Sequence, residues 1–487
     1  MKKLLKKLTG GRIFKGGIVA LLVLALPGVA SAALTPVPPD VTITSTSTNS
    51  NGYDLQSGGV LTISGSSITH DFAGGEWRGF IRPQTGNTAE NKNGTLTAFS
   101  AALGNDYVQA NPVAAGGTFL NSATVNFDDA ATAFSINTST RFENQGQVNK
   151  GGISSLTFRA STNNTIDTGH FVNAGTFSHT GTGTVRFQDQ LGTGRVYFKQ
   201  TTAGTLNVTG GGKFISDREI DTTGFNELSG LIDVSTGSVA AFGPFANDAT
   251  DAGKAVFALD SMTRRTIANL TVNADLIRVN NNIGLTIATG GVVGKTNSPL
   301  TLATGSIELQ GGTLRGSTIE LNQEITGNGT LLGDVNLTAD MVPSGSSLSL
   351  PGIITTTGDL FAANGFFELQ LFPGPSPSND KLVISGDFAV DTMALPFIDL
   401  SVVNPNALEI GQAFQLFDIT GSKAGLSDLL SDLTDTLSFL EVPSGGVWST
   451  SSFLTTGTIS IVAIPEPTVA VGVLILSLTI GLKRVRL

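Results

Sequence analysis

Phe119-Leu120-Asn121-Ser122-Ala123-Thr124-Val125 returns as Phe142-Glu143-Asn144-Gln145-Gly146-Gln147-Val148, and again as Phe171-Val172-Asn173-Ala174-Gly175-Thr176-Phe177. The shared pattern is Phe-x-Asn-x-small-x-apolar, at spacings of 23 and 29 residues. Periods in the twenties, built from short strand-like segments and turn residues, are the mark of a solenoid, in which each coil buries its apolar side chains against the next. Phe at one coil position then forms an interior stack. Asn is expected at a turn, where it tolerates left-handed backbone and can ladder its amide with the coil above.

Outward from these repeats the same texture continues. Ala123-Thr124-Val125-Asn126-Phe127, Thr184-Val185-Arg186-Phe187 and Gly204-Thr205-Leu206-Asn207-Val208 are short, rich in β-branched and aromatic residues, and bounded by Gly, Asn, Ser and Asp. They read as strands and turns. A second echo, Leu285-Thr286-Ile287-Ala288-Thr289-Gly290 and Leu300-Thr301-Leu302-Ala303-Thr304-Gly305, is spaced by 15 residues. After Pro343 the style shifts, and Phe367-Glu368-Leu369-Gln370-Leu371 alternates with period two, as a half-buried strand does. Helical spacing is convincing only over 425–440, where Leu426, Leu429, Leu430, Leu433 and Leu437 share a face.

Both ends have a different character. Lys2, Lys3, Lys6, Lys7, Arg12 and Lys15 precede an apolar run over 17–26, a Pro27-Gly28 break and Ala30-Ser31-Ala32. This is the order of a Sec signal peptide cleaved after Ala32, leaving Ala33 first. At the other end Pro465-Glu466-Pro467 precedes an uncharged apolar run over 468–482 and the cations Lys483, Arg484 and Arg486. The two prolines keep the tripeptide extended. The apolar run enters a bilayer, and the cations behind it stay on the cytoplasmic side. Its 15 residues reach about 22 Å at 1.5 Å per residue, short of the ~30 Å hydrocarbon core. A weak span of this kind suits a temporary anchor.

This three-part tail resembles the PEP-CTERM sorting signal of Gram-negative surface proteins. The resemblance implies an exosortase, a membrane peptidase that reads Pro465-Glu466-Pro467 and releases or relocates the body. It also implies exopolysaccharide and biofilm matrix as partners. The stretch 300–345 is similar in style to the last coils of autotransporter-like passenger β-helices. The outer-membrane barrel of a true autotransporter, with its many alternating strands, is not expected here.

Charge and composition narrow the chemistry. The full chain has 28 cationic and 38 acidic residues and a net charge of −10. Without the six cations of the leader and the three cations and one carboxylate of the tail, 19 face 37, a net charge of about −18. Such a surface repels nucleic acid and anionic lipid, and is compatible with neutral glycans or, only through cations, with anionic polymers. With no cysteine there is no disulfide framework, thiol nucleophile or thiolate metal site.

Glycoside hydrolysis needs two carboxylates facing across a cleft. Asp128-Asp129 is the adjacent Asp pair of the repeat region, and it reads as a solvated turn. His170 and Arg278 complete none of the motifs of galacturonase-like hydrolases. His70, His170 and His179 have no metal-ligand spacing, and Asp428, Asp432 and Asp435 lack the spacing of a calcium loop. Trp77 beside Arg78 reads as a packed cap residue rather than a sugar platform.

The expectation is therefore an all-β, elongated, right-handed parallel β-helix with a β-rich C-terminal cap and a short C-terminal transmembrane helix. Its parts are a signal peptide (1–32), an N-terminal cap and first coils (33–118), solenoid repeats (119–345), a cap domain (346–464) and a sorting signal (465–487). No catalytic residue, metal or cofactor is assigned. The expected partners are the Sec translocon, an exosortase-type peptidase and exopolysaccharide, with no nucleic acid and only transient membrane contact. The expected role is a non-enzymatic structural or adhesive rod at the cell surface or in the extracellular matrix. Two alternatives remain open: a polysaccharide-active enzyme or glycan-binding module, and a permanently membrane-anchored surface protein.

Overall fold

The computed structural model describes residues 41–464, except for 44–46, 49–52, 56–59, 64–68, 72–74, 78–79, 84–86, 93, 99–100, 104–116, 137–139, 160–167, 189–194, 218–227, 244–250, 260–263, 280–282 and 346–349. The leader with Ala30, Ala32 and Ala33, and the tail with Pro465, Glu466, Pro467, the 468–482 run, Lys483, Arg484 and Arg486, lie outside the described residues. So do the side chains of His70 and Trp77. No helix among the described residues is long and apolar enough to cross a membrane.

Short strands follow one another along three faces, and each pairs in parallel with the strand one coil away. Face one begins Ser47–Thr48, Thr69–Asp71, Thr88–Asn91, Thr118–Asn121, Arg141–Asn144, Thr168–Asn173 and Arg195–Gln200. Face two includes Thr95–Ala98, Thr124–Phe127, Gln147–Lys150, Thr176–His179 and Thr205–Val208. Face three includes Ala133–Ile136, Leu156–Arg159, Thr184–Phe187 and Lys213–Ser216. The protein is thus a mostly β, coiled stack of parallel sheets. Parallel pairing suits these strands because each needs a whole coil of chain before it meets its partner.

The Phe-x-Asn repeats are register partners. Phe119 pairs with Phe142 and Phe142 with Phe171. Their rings form an interior column, with centroids 5.0 Å apart for Phe119–Phe142 and 4.7 Å for Phe142–Phe171. Face three adds Phe158 stacked on Phe187 at 4.4 Å. These aromatics fill the space between faces, and all are fully buried. Aromatic pairs at such distances add about 0.5–1.5 kcal/mol beyond their buried area.

The Asn column is the polar counterpart. Asn91 donates to Asn121 (3.0 Å), Asn121 to Asn144 (2.8 Å), Asn144 to Asn173 (2.8 Å) and Asn173 to Gln200 (3.1 Å). Each also donates to a backbone carbonyl on the coil ahead, as Asn144 does to Thr176 at 3.0 Å. The amides are fully buried at strand ends. Left-handed backbone plays no part, because Asn269 and Asn364 are the non-Gly residues with positive φ among those described. The small residue of the repeat has its own reason. A Cβ on Gly175 would collide with the Gly146 carbonyl oxygen, and one on Gly146 with the Ala123 carbonyl oxygen.

The 285–305 echo lies within one coil. Leu285–Ala288 pairs with Arg265–Ile267 and with the start of Ile307–Leu321, whereas Leu300–Ala303 pairs with Leu276–Val279 and with the end of Ile307–Leu321. The two copies are different faces of one coil. From here the coils tighten. Ile307–Leu321 and Ile325–Leu337 each run round all three faces and pair with register shifts at the corners. One local irregularity precedes them: Val256–Leu259 enters face three between Val239–Phe242 and Leu276–Val279. The outward side chains Val239, Ala241, Val256, Ala258 and Leu276 there form a second small buried cluster.

Parallel register continues past residue 345, through Ile353–Thr356, Lys381–Ile384 and Phe417–Ile419 on face two. The coil ends differently. A helix, Ala424–Phe439 (α1), buries Leu426, Leu429, Leu433 and Leu437. An antiparallel sheet of Ala413–Gln415, Gly446–Ser449 and Thr458–Ala463 completes the closure.

Candidate functional site

Each residue singled out for chemistry has a definite place. Asp128 accepts from the Ala130 amide at 2.8 Å, and Asp129 from the Ser154 amide at 2.9 Å. That backbone bond, aided by Lys150, holds the Asp129 carboxyl below its ordinary range. Lys150 is fully buried, and its ammonium donates to the Asp128 carbonyl at 3.0 Å and lies 3.5 Å from Asp129 Oδ1. The Asp pair is therefore a corner that houses a buried cation, which neither residue's sequence context announced.

His179, one coil beyond Lys150, is also buried. Its Nδ1 lies 3.1 Å from the Lys150 carbonyl oxygen and its Nε2 2.8 Å from that of Gly183. His170 is half-buried and stacks on Tyr197 at 5.6 Å, and burial, with Arg141 nearby, lowers its pKa. Arg278 forms a buried ion pair with Asp251 on the outer side of face three. The Asp128-Asp129 corner, Lys150 and His179 are neighbours on successive coils, whereas His170 lies on face one and Arg278 on face three. Asp432, on α1, accepts from the Ile398 amide at 2.7 Å, and Thr436 donates to the Ile398 carbonyl at 3.0 Å. Among the described residues no group of three His, Cys, Asp or Glu is disposed to hold a metal.

A depression of about 310 Å³ lies where faces one and two meet, over Thr289, Glu308, Gln310, Gly311, Gly327 and Asn328. Its lining has a single carboxylate. Glu308 is engaged by Arg264 at 3.2 Å, Thr286 at 3.1 Å and Gln310 at 2.7 Å. A hydrolytic pair needs a second carboxylate opposite the first. This surface offers amides, a hydroxyl and glycine backbone instead. Carboxylates do gather on face one of the last coils, where burial and then Asp340, Asp399 and Glu324 raise the pKa of Glu368.

A regular polar surface is the outside of face two. Between inward Leu96, Val125, Val148, Phe177 and Leu206, the outward positions form two columns. One is Thr95, Thr124, Gln147, Thr176 and Thr205; the other is Thr97, Asn126, Asn149, Ser178 and Asn207. Asn149 donates to Asn126 at 2.9 Å along the second column. Strand spacing sets about 4.8 Å between successive groups. The signal was present in the sequence as Thr-Val-Asn, Gln-Val-Asn, Thr-Phe-Ser and Thr-Leu-Asn, but the flanking Phe-x-Asn pattern is louder.

Compared with known proteins, the chain matches no family model and no curated sequence.

Proposed function

We propose that this chain is an exported, non-enzymatic rod of the cell surface or extracellular matrix, sorted through its PEP-CTERM-like tail. In this reading Sec exports the chain, 468–482 holds it in the inner membrane, and an exosortase acts at Pro465-Glu466-Pro467. The coils wind right-handed, as parallel crossovers do. The body then engages exopolysaccharide along its length. The observation that carries this role is the double column of Thr, Asn, Ser and Gln on face two. Each group contributes one weak hydrogen bond, and a long polymer meets many of them in series, so avidity replaces a single deep site. The net negative charge favours a neutral glycan over an anionic one.

The test is co-sedimentation with polysaccharide extracted from the producing cells. Replacing Asn126, Asn149 and Asn207 together by Leu is expected to lower retention at least tenfold, on the order of 1.4 kcal/mol. Undiminished retention contradicts the role of face two. Release of oligosaccharides by the unmodified chain moves the assignment to a polysaccharide-active enzyme.

A further inference from the structure

The closing antiparallel sheet has two unlike faces. Inward, Phe414, Ile459 and Ile461 are fully buried. Outward, Gln415, Val447, Ser449, Ser460 and Val462 alternate with them along the paired strands, and none is charged. Val447 and Val462 sit directly opposite each other and are 39% and 40% exposed. Ile464, 52% exposed, extends the same strand, its amide donating to the Gly445 carbonyl at 2.8 Å. These three aliphatic side chains make an uncharged corner on a protein whose body has about twice as many carboxylates as cations.

The position of this corner in the chain says what it meets. Only Pro465-Glu466-Pro467 separates Ile464 from Thr468, the first residue of the apolar run. Four residue steps reach at most about 14 Å. The headgroup layer of one leaflet is about 5–7 Å thick. With Thr468 at the hydrocarbon boundary, the end of the strand is tethered within about 9 Å of the headgroup surface.

We propose that Val447, Val462 and Ile464 form a lipid-facing foot that rests on zwitterionic headgroups while the tail is in the bilayer. The inference builds on the reading of 468–482 as a membrane-inserted segment. The foot holds the rod at a fixed angle to the membrane and presents Pro465-Glu466-Pro467 at a constant height for a membrane peptidase.

The absence of native cysteine permits a direct test. The full chain, made in cells without the peptidase, is reconstituted in phosphatidylcholine vesicles. A fluorophore is placed in turn at Val462→Cys, Val447→Cys, Leu474→Cys and Gln147→Cys. Gln147 lies ten strands back along face two from Phe417–Ile419, about 48 Å along the ladder. The expected result has two parts. Acyl-chain nitroxides quench the label at 474, and headgroup nitroxides quench those at 462 and 447 at least twofold more than that at 147. If the 474 label is quenched but those at 462 and 447 behave like that at 147, the foot is overturned and the inserted tail stands. If the 474 label is unquenched, both fall. Shielding of the 462 label from aqueous iodide without headgroup quenching marks a protein partner, such as a second copy, and also overturns the lipid assignment.

Discussion

Asn144 has three obligations at once: it accepts from Asn121, donates to Asn173, and donates to the Thr176 carbonyl. Asn144→Ala leaves buried partners without hydrogen bonds, and the expected cost is about 2–4 kcal/mol in urea unfolding. Asn149→Ala, on the outer face, is expected to stay within about 0.5 kcal/mol. Equal effects of the two would contradict the inward ladder. Asp380 supplies a pH signature. It is buried and accepts from the Gly352 amide at 2.7 Å and the Gln370 amide at 3.0 Å. Burial pushes its carboxyl up to about 6, although those two amides pull it down. Between about pH 4 and 6 the folded chain therefore keeps a proton that the unfolded chain releases. Stability from this group falls as pH rises through that window and is level above it. Asp380→Asn should remove that slope from the urea midpoint measured between pH 4 and 7, and an unchanged slope contradicts the assignment. At this scale the inward Asn and Phe were legible because they recur. Lys150 and His179 were not, because they replace Phe127 and precede Val208 in one inward column, with nothing local to distinguish them from surface residues.

Two devices join element to element, and the second escaped the sequence reading. In the first half the link is the amide ladder. In the second half it is a turn carboxylate. Asp334 accepts from the Asp359 amide at 3.0 Å, Asp359 from the Asp387 amide at 2.8 Å, and Asp387 from the Ser422 amide at 2.7 Å. Its trace is Gly-Asp at 333–334, 358–359 and 386–387, a dipeptide too short to stand out from a Gly-rich background. The echo at 285 and 300 arises within one coil: about 20 residues of chain place similar strands on two of its own faces. Helix α1 was legible from leucine spacing alone, because a single amphipathic face needs no partner to be seen. Its function was not. Through Asp432 and Thr436 it satisfies the Ile398 amide and carbonyl on Phe397–Val402, the last strand of face one. Asp432→Ala should cost about 1–2 kcal/mol and speed amide exchange at Ile398. Truncation after Thr420 removes α1 and two of the three strands of the antiparallel sheet and exposes strand edges. Light scattering should then show concentration-dependent assembly, whereas a monodisperse truncated chain would contradict the closing role.

On the scale of the whole molecule, fifteen described strands follow one another without a break along face two, from Tyr53–Leu55 to Phe417–Ile419. At about 4.8 Å per step the ladder is roughly 67 Å long. Small-angle scattering should give a rod-like profile, and a globular one would contradict the stack. The coiled parallel architecture was legible because repetition of period 23 to 29 has few other physical meanings. The regular outer array was less so, since Thr, Ser and Asn are also the commonest turn residues of the chain. The proposed biology rests on the tail, so the deciding measurement is the intact mass and C-terminal peptide of the protein recovered from the native cell surface, beside a Glu466→Ala variant. A chain ending near Pro465, with the variant held in the membrane, is the expected result. A chain still ending at Leu487 in both would contradict the sorting account and leave a membrane-anchored rod.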